Sequence, residues 1–214
     1  MGSRVLIVED DTFTRLMLYT ALKSQGLSNV FESPTAAEAA KLIETHDFDV
    51  AVLDLHLGVG PTGIDVAQAI RRKNPAAGIV FLTSFDDPRL LSPFLPKLPG
   101  NSQYLTKGQI SNVGILLKAI KAASAGATQQ VSTKPDNALA ELSDAHLQTL
   151  QLVAEGYSNA EIAKRRFVTE RSVEVTITRI AKILGLSPDS TMNHRVHMAK
   201  VYFRASGRRV DASA

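Results

Sequence analysis

Residues 50–54 read VAVLD, a run of four apolar residues that ends in an acid. A short apolar run without polar alternation is typical of a strand that is covered on both faces, as inside a parallel sheet. Comparable runs, VLIV at 5–8 and IVFL at 79–82, are also followed by polar residues. The first half of the chain therefore predicts a buried parallel sheet whose strands end in polar side chains.

Helical patterns alternate with these strands. The predicted strands are Arg4–Val8, Val30–Glu32, Val50–Leu53, Gly78–Thr83 and Gln103–Leu105. The predicted helices are Thr12–Gln25, which has Phe13, Leu16, Met17 and Ala21 on one face, and Pro34–His46, Gly63–Lys73 and Asn112–Ala123. Strands that alternate with helices indicate a doubly wound α/β fold, here with a five-stranded parallel sheet.

The second half of the chain has four helical patterns in succession and no strand-like run. These predicted helices are Asp144–Glu155, Asn159–Arg166, Glu170–Leu184 and Asn193–Arg204. The residues before them are small, polar and proline-containing, which is typical of a linker. We therefore predict an α/β domain at 2–124, a linker at 125–140 and an all-α domain of four helices at 141–206.

The composition excludes several classes of protein. Of the 214 residues, 44% are hydrophobic and 21% are charged, as in ordinary globular proteins. The absence of cysteine excludes disulfides and thiolate metal sites. No apolar run approaches the roughly 20 residues of a membrane span, and the N-terminus lacks the pattern of a signal peptide. We expect a soluble, cytoplasmic protein with no membrane partner.

The net charge of +3 is unevenly distributed along the chain. Residues 1–125 carry 12 basic and 12 acidic side chains, whereas residues 126–214 carry 12 basic and 9 acidic ones. The excess of positive charge therefore lies in the all-α half. It indicates, weakly when taken alone, a polyanionic partner for that half.

Polar side chains follow four of the five predicted strands. They are Glu9, Asp10 and Asp11 after the first strand, Asp54 after the third, Thr83 and Ser84 at the fourth, and Lys107 after the fifth. Because the carboxyl ends of parallel strands meet at one edge of a sheet, we expect these side chains to converge. Carboxylates that lie so close repel one another unless a cation is present, and oxygen donors suit Mg²⁺. Asp54 could then accept a phosphoryl group, with Lys107 neutralising part of its charge.

The segments VLIVEDD, VAVLDLHL, IVFLTS and YLTKG resemble, in order and spacing, the sequence blocks of the receiver domain. The resemblance implies a flavodoxin-like fold in which Asp54 is the phosphoacceptor and Lys107 pairs with the phosphate. It also implies that Thr83 is the switch hydroxyl and Tyr104 the rotating aromatic residue. The implied ligands of Mg²⁺ or Mn²⁺ are Glu9, Asp10, Asp54 and the backbone carbonyl of His56.

Two segments depart from the receiver pattern. Gly58 stands where a proline is usual, in a loop, GVGPTG, that is longer than in most relatives. The segment in which the fourth helix is expected, RLLSPFLPKLPGN, contains Pro93, Pro96 and Pro99. Each proline removes an amide donor and clashes with the preceding turn. We therefore expect no regular helix in that segment.

Residues 142–186 resemble the NarL/FixJ (LuxR-type) helix-turn-helix domain, notably at AEGYSNAEIA. The expected helix caps are Ser143 or Asp144, then Ser158 or Asn159, and Thr169. The expected core consists of Leu147, Leu150, Val153, Ile162 and Ala163, together with a stripe formed by Val173, Ile177, Ile180 and Leu184 on the third helix.

The other face of the third helix is expected to enter the major groove of DNA. The candidate contact residues are Asn159, Arg171, Ser172, Glu174, Val175, Thr178, Arg179 and Lys182. Arg179 and Lys182 suit phosphates, whereas Val175 suits a thymine methyl group. Glu174 stands where many relatives have lysine, so we do not expect the usual base preference of the family.

Together the two resemblances imply a transcriptional regulator of a two-component system rather than an enzyme. A sensor histidine kinase is the implied source of the phosphoryl group on Asp54. We expect a homodimer on inverted-repeat double-stranded DNA, paired through Val196, Ala199 and Phe203. Two alternatives stay open: a phosphorylation-independent DNA-binding regulator with a vestigial receiver, and a phosphohydrolase that uses Asp54 as its nucleophile. Against the hydrolase, position 56 is histidine rather than a second acid.

Overall fold

The structure, a computed structural model, describes residues 3–91, 98–126, 138–186 and 193–207. The contacts between residues divide the chain into two compact units. The first unit consists of Met1–Thr83 and Pro96–Ser132, and the second of Ser84–Leu95 and Thr133–Ala214. None of the described helices combines the length and the apolar character that a membrane span requires.

The first unit contains a parallel sheet of five strands in the order β2-β1-β3-β4-β5. The strands are β1 (Val5–Val8), β2 (Val30–Ser33), β3 (Val50–Leu53), β4 (Gly78–Thr83) and β5 (Ser102–Thr106). Every residue of β1, β3 and β4 is buried, which explains why their sequences do not alternate. All five predicted strands are present, and only the ends of β1, β2 and β5 differ from the prediction.

In the described part of the first unit, four α-helices connect and flank these strands. They are α1 (Thr12–Ser24), α2 (Ala36–Thr45), α3 (Gly63–Lys73) and α4 (Val113–Ser124). The sheet core is closed by Leu18 and Leu22 of α1 and by Leu116 of α4. The face of α1 that contains Phe13 and Met17 is instead exposed, although its spacing correctly predicted a helix.

The register of the sheet determines where the candidate site lies. Val8 at the end of β1 is opposite Leu53 at the end of β3, and Leu53 is opposite Phe81 of β4. The backbone amide of Asp54 donates to the carbonyl of Val8 at 2.9 Å. The residues that follow β1 and β3 therefore begin side by side at the carboxyl edge of the sheet.

The described part of the second unit contains four α-helices, each of which begins after a polar cap. They are α5 (Asp144–Ala154), α6 (Asn159–Arg166), α7 (Glu170–Ile183) and α8 (His194–Ala205). The caps of the first three are Ser143, Ser158 and Thr169, each of which accepts a hydrogen bond from a first-turn amide. The predicted core residues of α5 and α6 are all buried. On α7, Val173 and Ile180 are buried, whereas Ile177 and Leu184 are only partly so.

The proline-rich segment contains no α-helix in its described part. Pro88–Leu90 form one turn of 3-10 helix, and residues 98–101 lead into β5 without a helix. Pro93 and Pro96 fall within residues 92–97, which lie outside the described part of the chain, as do residues 127–137 of the predicted linker. The linker's last residues belong to another 3-10 turn, Ala138–Glu141.

Candidate functional site

Three acidic side chains meet at the carboxyl edge of the sheet. Glu9 and Asp10 follow β1 and Asp54 follows β3, and one carboxylate oxygen of each lies within 4.8 Å of the others. Glu9 and Asp54 are buried, whereas Asp10 is exposed. The predicted convergence of these acids is therefore present, and the set offers only oxygen donors, which are the donors that hard divalent cations prefer.

Lys107 follows β5 and bridges the two buried acids. Its Nζ atom donates to Oε1 of Glu9 and to Oδ2 of Asp54, both at 2.8 Å. Burial raises the pKa of Glu9 to about 7, against the opposing effect of the Lys107 hydrogen bond. Desolvation lowers the pKa of Lys107, but the charges and hydrogen bonds of Asp54 and Glu9 outweigh it, so that the net shift is upward. One ammonium group therefore donates to two carboxylates, and the carboxylate of Asp10 lies beside them.

Backbone groups and one arginine hold the pocket in shape. The amide of His56 donates to Oδ1 of Asp54 at 3.2 Å, so both oxygens of Asp54 have a donor. The guanidinium of Arg15, one turn into α1, donates to the carbonyl of Glu9 at 2.8 Å and to that of Asp10 at 3.4 Å. The role of Arg15 could not be predicted from the sequence, because its partners are main-chain carbonyls, which no residue type identifies.

A second feature that could not be predicted from the sequence lies after Asp54. Gly63, the first residue of α3, lies against the main chain of Asp54, where a Cβ atom would be 2.0 Å from the Asp54 carbonyl oxygen. Only glycine leaves room for this approach. In the same loop Gly58 has a φ of 79° and Gly60 a φ of 120°, which favour glycine. The residues after Asp54 therefore bring the start of α3 into close backbone contact with the candidate phosphoacceptor.

The two candidate switch residues lie on β4 and β5. Thr83 ends β4, is fully buried and stands opposite Thr106 of β5. Tyr104 is opposite Phe81 and is also buried, with 6% of its surface exposed. Because β4 is adjacent to β3, Thr83 lies at the same edge of the sheet as Asp54.

The face of α7 that was predicted to meet DNA is exposed. The exposed candidates are Arg171, Ser172, Glu174, Val175, Thr178, Arg179 and Lys182. Among the described residues, the three cations of this set have no hydrogen-bond or ion-pair partner. Burial, followed by the charges of Arg179 and Arg166, lowers the pKa of the nearby His146. The positive charge on this face is therefore available to a partner.

Three of the polar candidates already have partners within the unit. Asn159 accepts a hydrogen bond from Arg195 of α8 at 2.8 Å. The hydroxyl of Ser172 lies 2.9 Å from that of Thr169, and the hydroxyl of Thr178 donates to the carbonyl of Glu174 at 2.9 Å. Arg195 also donates to the carbonyl of Tyr157. Asn159, Ser172 and Thr178 therefore also support the fold, unlike the exposed cations of α7.

Comparisons with known proteins find a family match in each half of the chain. The response regulator receiver domain family matches residues 5–121, and the luxR family of bacterial regulatory proteins matches residues 140–187. Over 213 residues the chain is 30% identical to transcriptional regulatory protein LiaR of Bacillus subtilis (strain 168), covering 91% of this chain and 98% of LiaR. It is 28% identical to nitrate/nitrite response regulator protein NarP of Escherichia coli (strain K12), covering 86% of this chain and 89% of NarP.

The fold is also found among solved structures. The response regulator RcsB in its complex with DNA matches with a TM-score of 0.61 at 22% identity, over 96% of this chain and 99% of RcsB. At that identity the likeness supports the fold alone, whereas the family follows from the matched sequences. The chain therefore belongs to the two-component response regulators, and its receiver domain followed by a luxR-type DNA-binding domain assigns it to the NarL/FixJ family.

Proposed function

We propose that a sensor histidine kinase phosphorylates this chain on Asp54 and that phosphorylation controls the binding of its luxR-type domain to promoter DNA. One observation carries the proposal, namely the pocket in which Lys107 contacts both Asp54 and Glu9, with Asp10 beside them. Burying charged groups is costly unless they are paired, and such pockets commonly serve chemistry. The intact pocket favours this function over a vestigial receiver.

The proposed reaction is the transfer of a phosphoryl group from a kinase histidine. A carboxylate oxygen of Asp54 attacks phosphorus, the N–P bond breaks, and an acyl phosphate forms while the electron pair returns to the imidazole nitrogen. The amide of His56 and the ammonium of Lys107 hold the carboxylate before the attack. Lys107 then neutralises charge on the phosphoryl oxygens, and the hydroxyl of Thr83 donates a hydrogen bond to one of them. Tyr104 is the second proposed switch residue, after Thr83.

The acidic cluster fits a divalent cation, Mg²⁺ or Mn²⁺. Its proposed ligands are the carboxylates of Glu9, Asp10 and Asp54 and the backbone carbonyl of His56. The donor set consists of oxygens alone, and its acids carry more negative charge than Lys107 can balance. When bound, the ion neutralises the negative charge that accumulates around the transferred phosphoryl group.

The DNA-binding half completes the proposed regulator. We propose that α7 enters the major groove, that a homodimer reads an inverted repeat, and that α8 contributes to pairing through the exposed Val196. LiaR is named a transcriptional regulatory protein, and RcsB binds DNA in its solved complex, which supports the same role here. We retain 2–124, 125–140 and 141–206 as the proposed receiver, linker and DNA-binding domains. We propose that the regulator acts in the bacterial cytoplasm, where the DNA is.

Mass spectrometry of the whole protein tests the phosphorylation site. After treatment with acetyl phosphate and Mg²⁺, we expect the wild type to gain the mass of one phosphoryl group and Asp54→Asn to gain none. Asp47→Asn is the matched control, because Asp47 is an exposed carboxylate outside the pocket. It should be phosphorylated like the wild type, and chelation of the metal should prevent the gain in both. Phosphorylation of Asp54→Asn would show that the pocket assignment is wrong.

A further inference from the structure

Arg195 lies in the first turn of α8 and contacts two residues at the junction between α5 and α6. Its Nη1 atom donates to Oδ1 of Asn159, the first residue of α6, at 2.8 Å, and its Nη2 atom donates to the carbonyl of Tyr157. All three residues are half-buried. A guanidinium offers several donors in a fixed plane, so that one arginine can hold two acceptors in a defined arrangement. Arg195 therefore fixes both the main chain and a side chain at the start of α6.

The contact with Arg195 determines which way the side-chain amide of Asn159 points. Arginine can only donate, so the atom of Asn159 that faces it is the oxygen. The Nδ2 group, which carries two N–H donors, lies on the other branch of the amide. Within the part of the chain that the structure describes, this group has no hydrogen-bond partner. Because Asn159 is partly exposed, its Nδ2 group is available to a binding partner.

The surroundings of Asn159 favour an anion as the partner of this donor. The first amides of an α-helix have no partner within the helix, and the helix dipole adds positive charge at the same end. Ser158 satisfies one of these amides in α6, that of Glu161, at 3.3 Å. The guanidinium of Arg195 adds a full positive charge beside Asn159. The anion that DNA presents at every nucleotide is the backbone phosphate, which together with the sugar is the commonest target of protein–DNA hydrogen bonds.

We infer that Nδ2 of Asn159 donates to a backbone phosphate of DNA and that Arg195 is the positioning residue that orients it, an inference that rests on the proposed function. Arg195 acts through Asn159, because its own donors are directed at protein acceptors. Without Arg195 the amide of Asn159 is free to rotate, and the affinity falls with the fraction of molecules in which the donor faces the phosphate. A phosphate contact carries no sequence information, so the choice of sequence is left to α7.

A double-mutant cycle of DNA affinity in the full chain tests whether Arg195 acts through Asn159. Arg195→Met removes the guanidinium and Asn159→Ala removes the amide, and we expect each to weaken binding to a site selected from random DNA on the order of tenfold. The double variant should be no weaker than the weaker single variant, because the second change removes an interaction that is already lost. Losses that multiply would show that Arg195 acts independently of Asn159 and would overturn the inference. Arg204→Met changes an exposed arginine of the same helix and is the control, which should bind like the wild type.

The salt dependence of the affinity separates positioning from direct contact. A cation that neutralises a phosphate releases counterions, so its removal reduces the slope of log affinity against log salt by about one. Because Asn159 is neutral, Arg195→Met should weaken binding at every salt concentration and leave the slope of the wild type unchanged. A slope that is smaller by about one would place Arg195 itself on a phosphate, and its role as a positioning residue would be wrong.

Asn159→Asp provides a test that does not depend on the folding of Arg195→Met. Its carboxylate has the same shape and still accepts from Arg195, so urea unfolding should show a stability no lower than that of the wild type. DNA binding should weaken by more than about tenfold, because a donor has been replaced by a charge that phosphate repels. If this variant binds DNA as well as the wild type does, the inference is disproved and the proposed function stands. A wild type that selects no DNA site would instead contradict the proposed function, and the inference with it.

Discussion

The acidic pocket and the exposed face of α7 both carry charge, but they compensate it differently. In the pocket, Lys107 contacts Glu9 and Asp54 at 2.8 Å, and both acids are buried. On α7, Arg179 and Lys182 are exposed and have no partner among the described residues. Charges removed from water must be paired inside the protein, whereas exposed charges remain hydrated until a partner arrives. The pocket pairs its charges within the protein before a ligand binds. The charges on α7 are paired only when a partner binds.

This difference predicts that mutations in the two regions have different consequences. Removing one charge from the pocket leaves another buried and uncompensated, so that stability and function change together. Removing a charge from α7 leaves the fold unchanged and alters only the interaction with the partner. The following mutations test that contrast, from the largest expected effect to the smallest.

Lys107→Ala should have the largest effect on stability. Without the ammonium group, Glu9 and Asp54 face each other with no cation between them, and we expect the free energy of unfolding to fall by about 2 kcal/mol in metal-free protein. The DNA affinity of the variant should no longer respond to acetyl phosphate. Urea unfolding of this variant beside Lys118→Ala, which removes an exposed lysine of α4, makes the comparison. Equal stability of both variants would show that Lys107 is not part of a buried charge cluster.

The pH dependence of stability should reveal Glu9. Its pKa is about 7 in the folded protein, raised by burial from 4.5. Between these two pH values the folded state binds more protons than the unfolded state, so stability falls as the pH rises from about 4.5 to about 7. Glu9→Gln should remove this loss, which we expect to be about 2 kcal/mol.

Urea unfolding at pH 5 and at pH 8, with a chelator present, measures this loss. The control is Glu44→Gln, because Glu44 is an exposed acid on α2 and its replacement should leave the wild-type pH dependence intact. A wild type whose stability does not change between these pH values would show that Glu9 keeps an ordinary affinity for protons. The carboxylate of Glu9 would then be hydrated much as the exposed charges on α7 are.

The features that could be predicted from the sequence are those recorded in local patterns of residues. The apolar runs of β3 and β4 and the caps Ser143, Ser158 and Thr169 are local patterns, so the elements and the convergence of Asp54 with Glu9 followed from the sequence. Arg15 contacts main-chain carbonyls, which carry no residue signature. The same limitation applies to Gly63, whose neighbour is a main-chain oxygen.

Residues 84–91 show a second limit of prediction from the sequence. Arg89 joins Leu139 and Leu142, which are about fifty residues away in the chain, and no periodic pattern records that contact. The prolines of the segment 89–101 correctly indicated that its described part contains no regular helix. They did not indicate that residues 84–91 belong to the second unit. Long-range contacts of this kind are decided by the folded structure as a whole.

Lys182→Ala should have a moderate effect, confined to DNA binding. Because Lys182 is exposed, we expect its loss to change the free energy of unfolding by less than about 0.5 kcal/mol. Binding should weaken uniformly across DNA sequences, and the slope of log affinity against log salt should decrease by about one. Titrations of several selected sites at three salt concentrations measure both quantities. A loss confined to some sequences would mean that Lys182 reads bases.

Val175→Ala should have the smallest effect, a change in sequence preference with little loss of overall affinity. The side chain of Val175 is 45% exposed on the face of α7, and contact with a thymine methyl group is the interaction that suits it. Truncation removes two methyl groups, so we expect discrimination at one base pair of each half-site to fall by about 1 kcal/mol. Selection from random DNA with wild type, Val175→Ala and Lys182→Ala should then return a motif relaxed at one position for Val175→Ala alone. Identical motifs from all three proteins would place Val175 outside the base-reading surface, and the sequence preference would then have to come from Glu174 and Arg171, its exposed neighbours on α7.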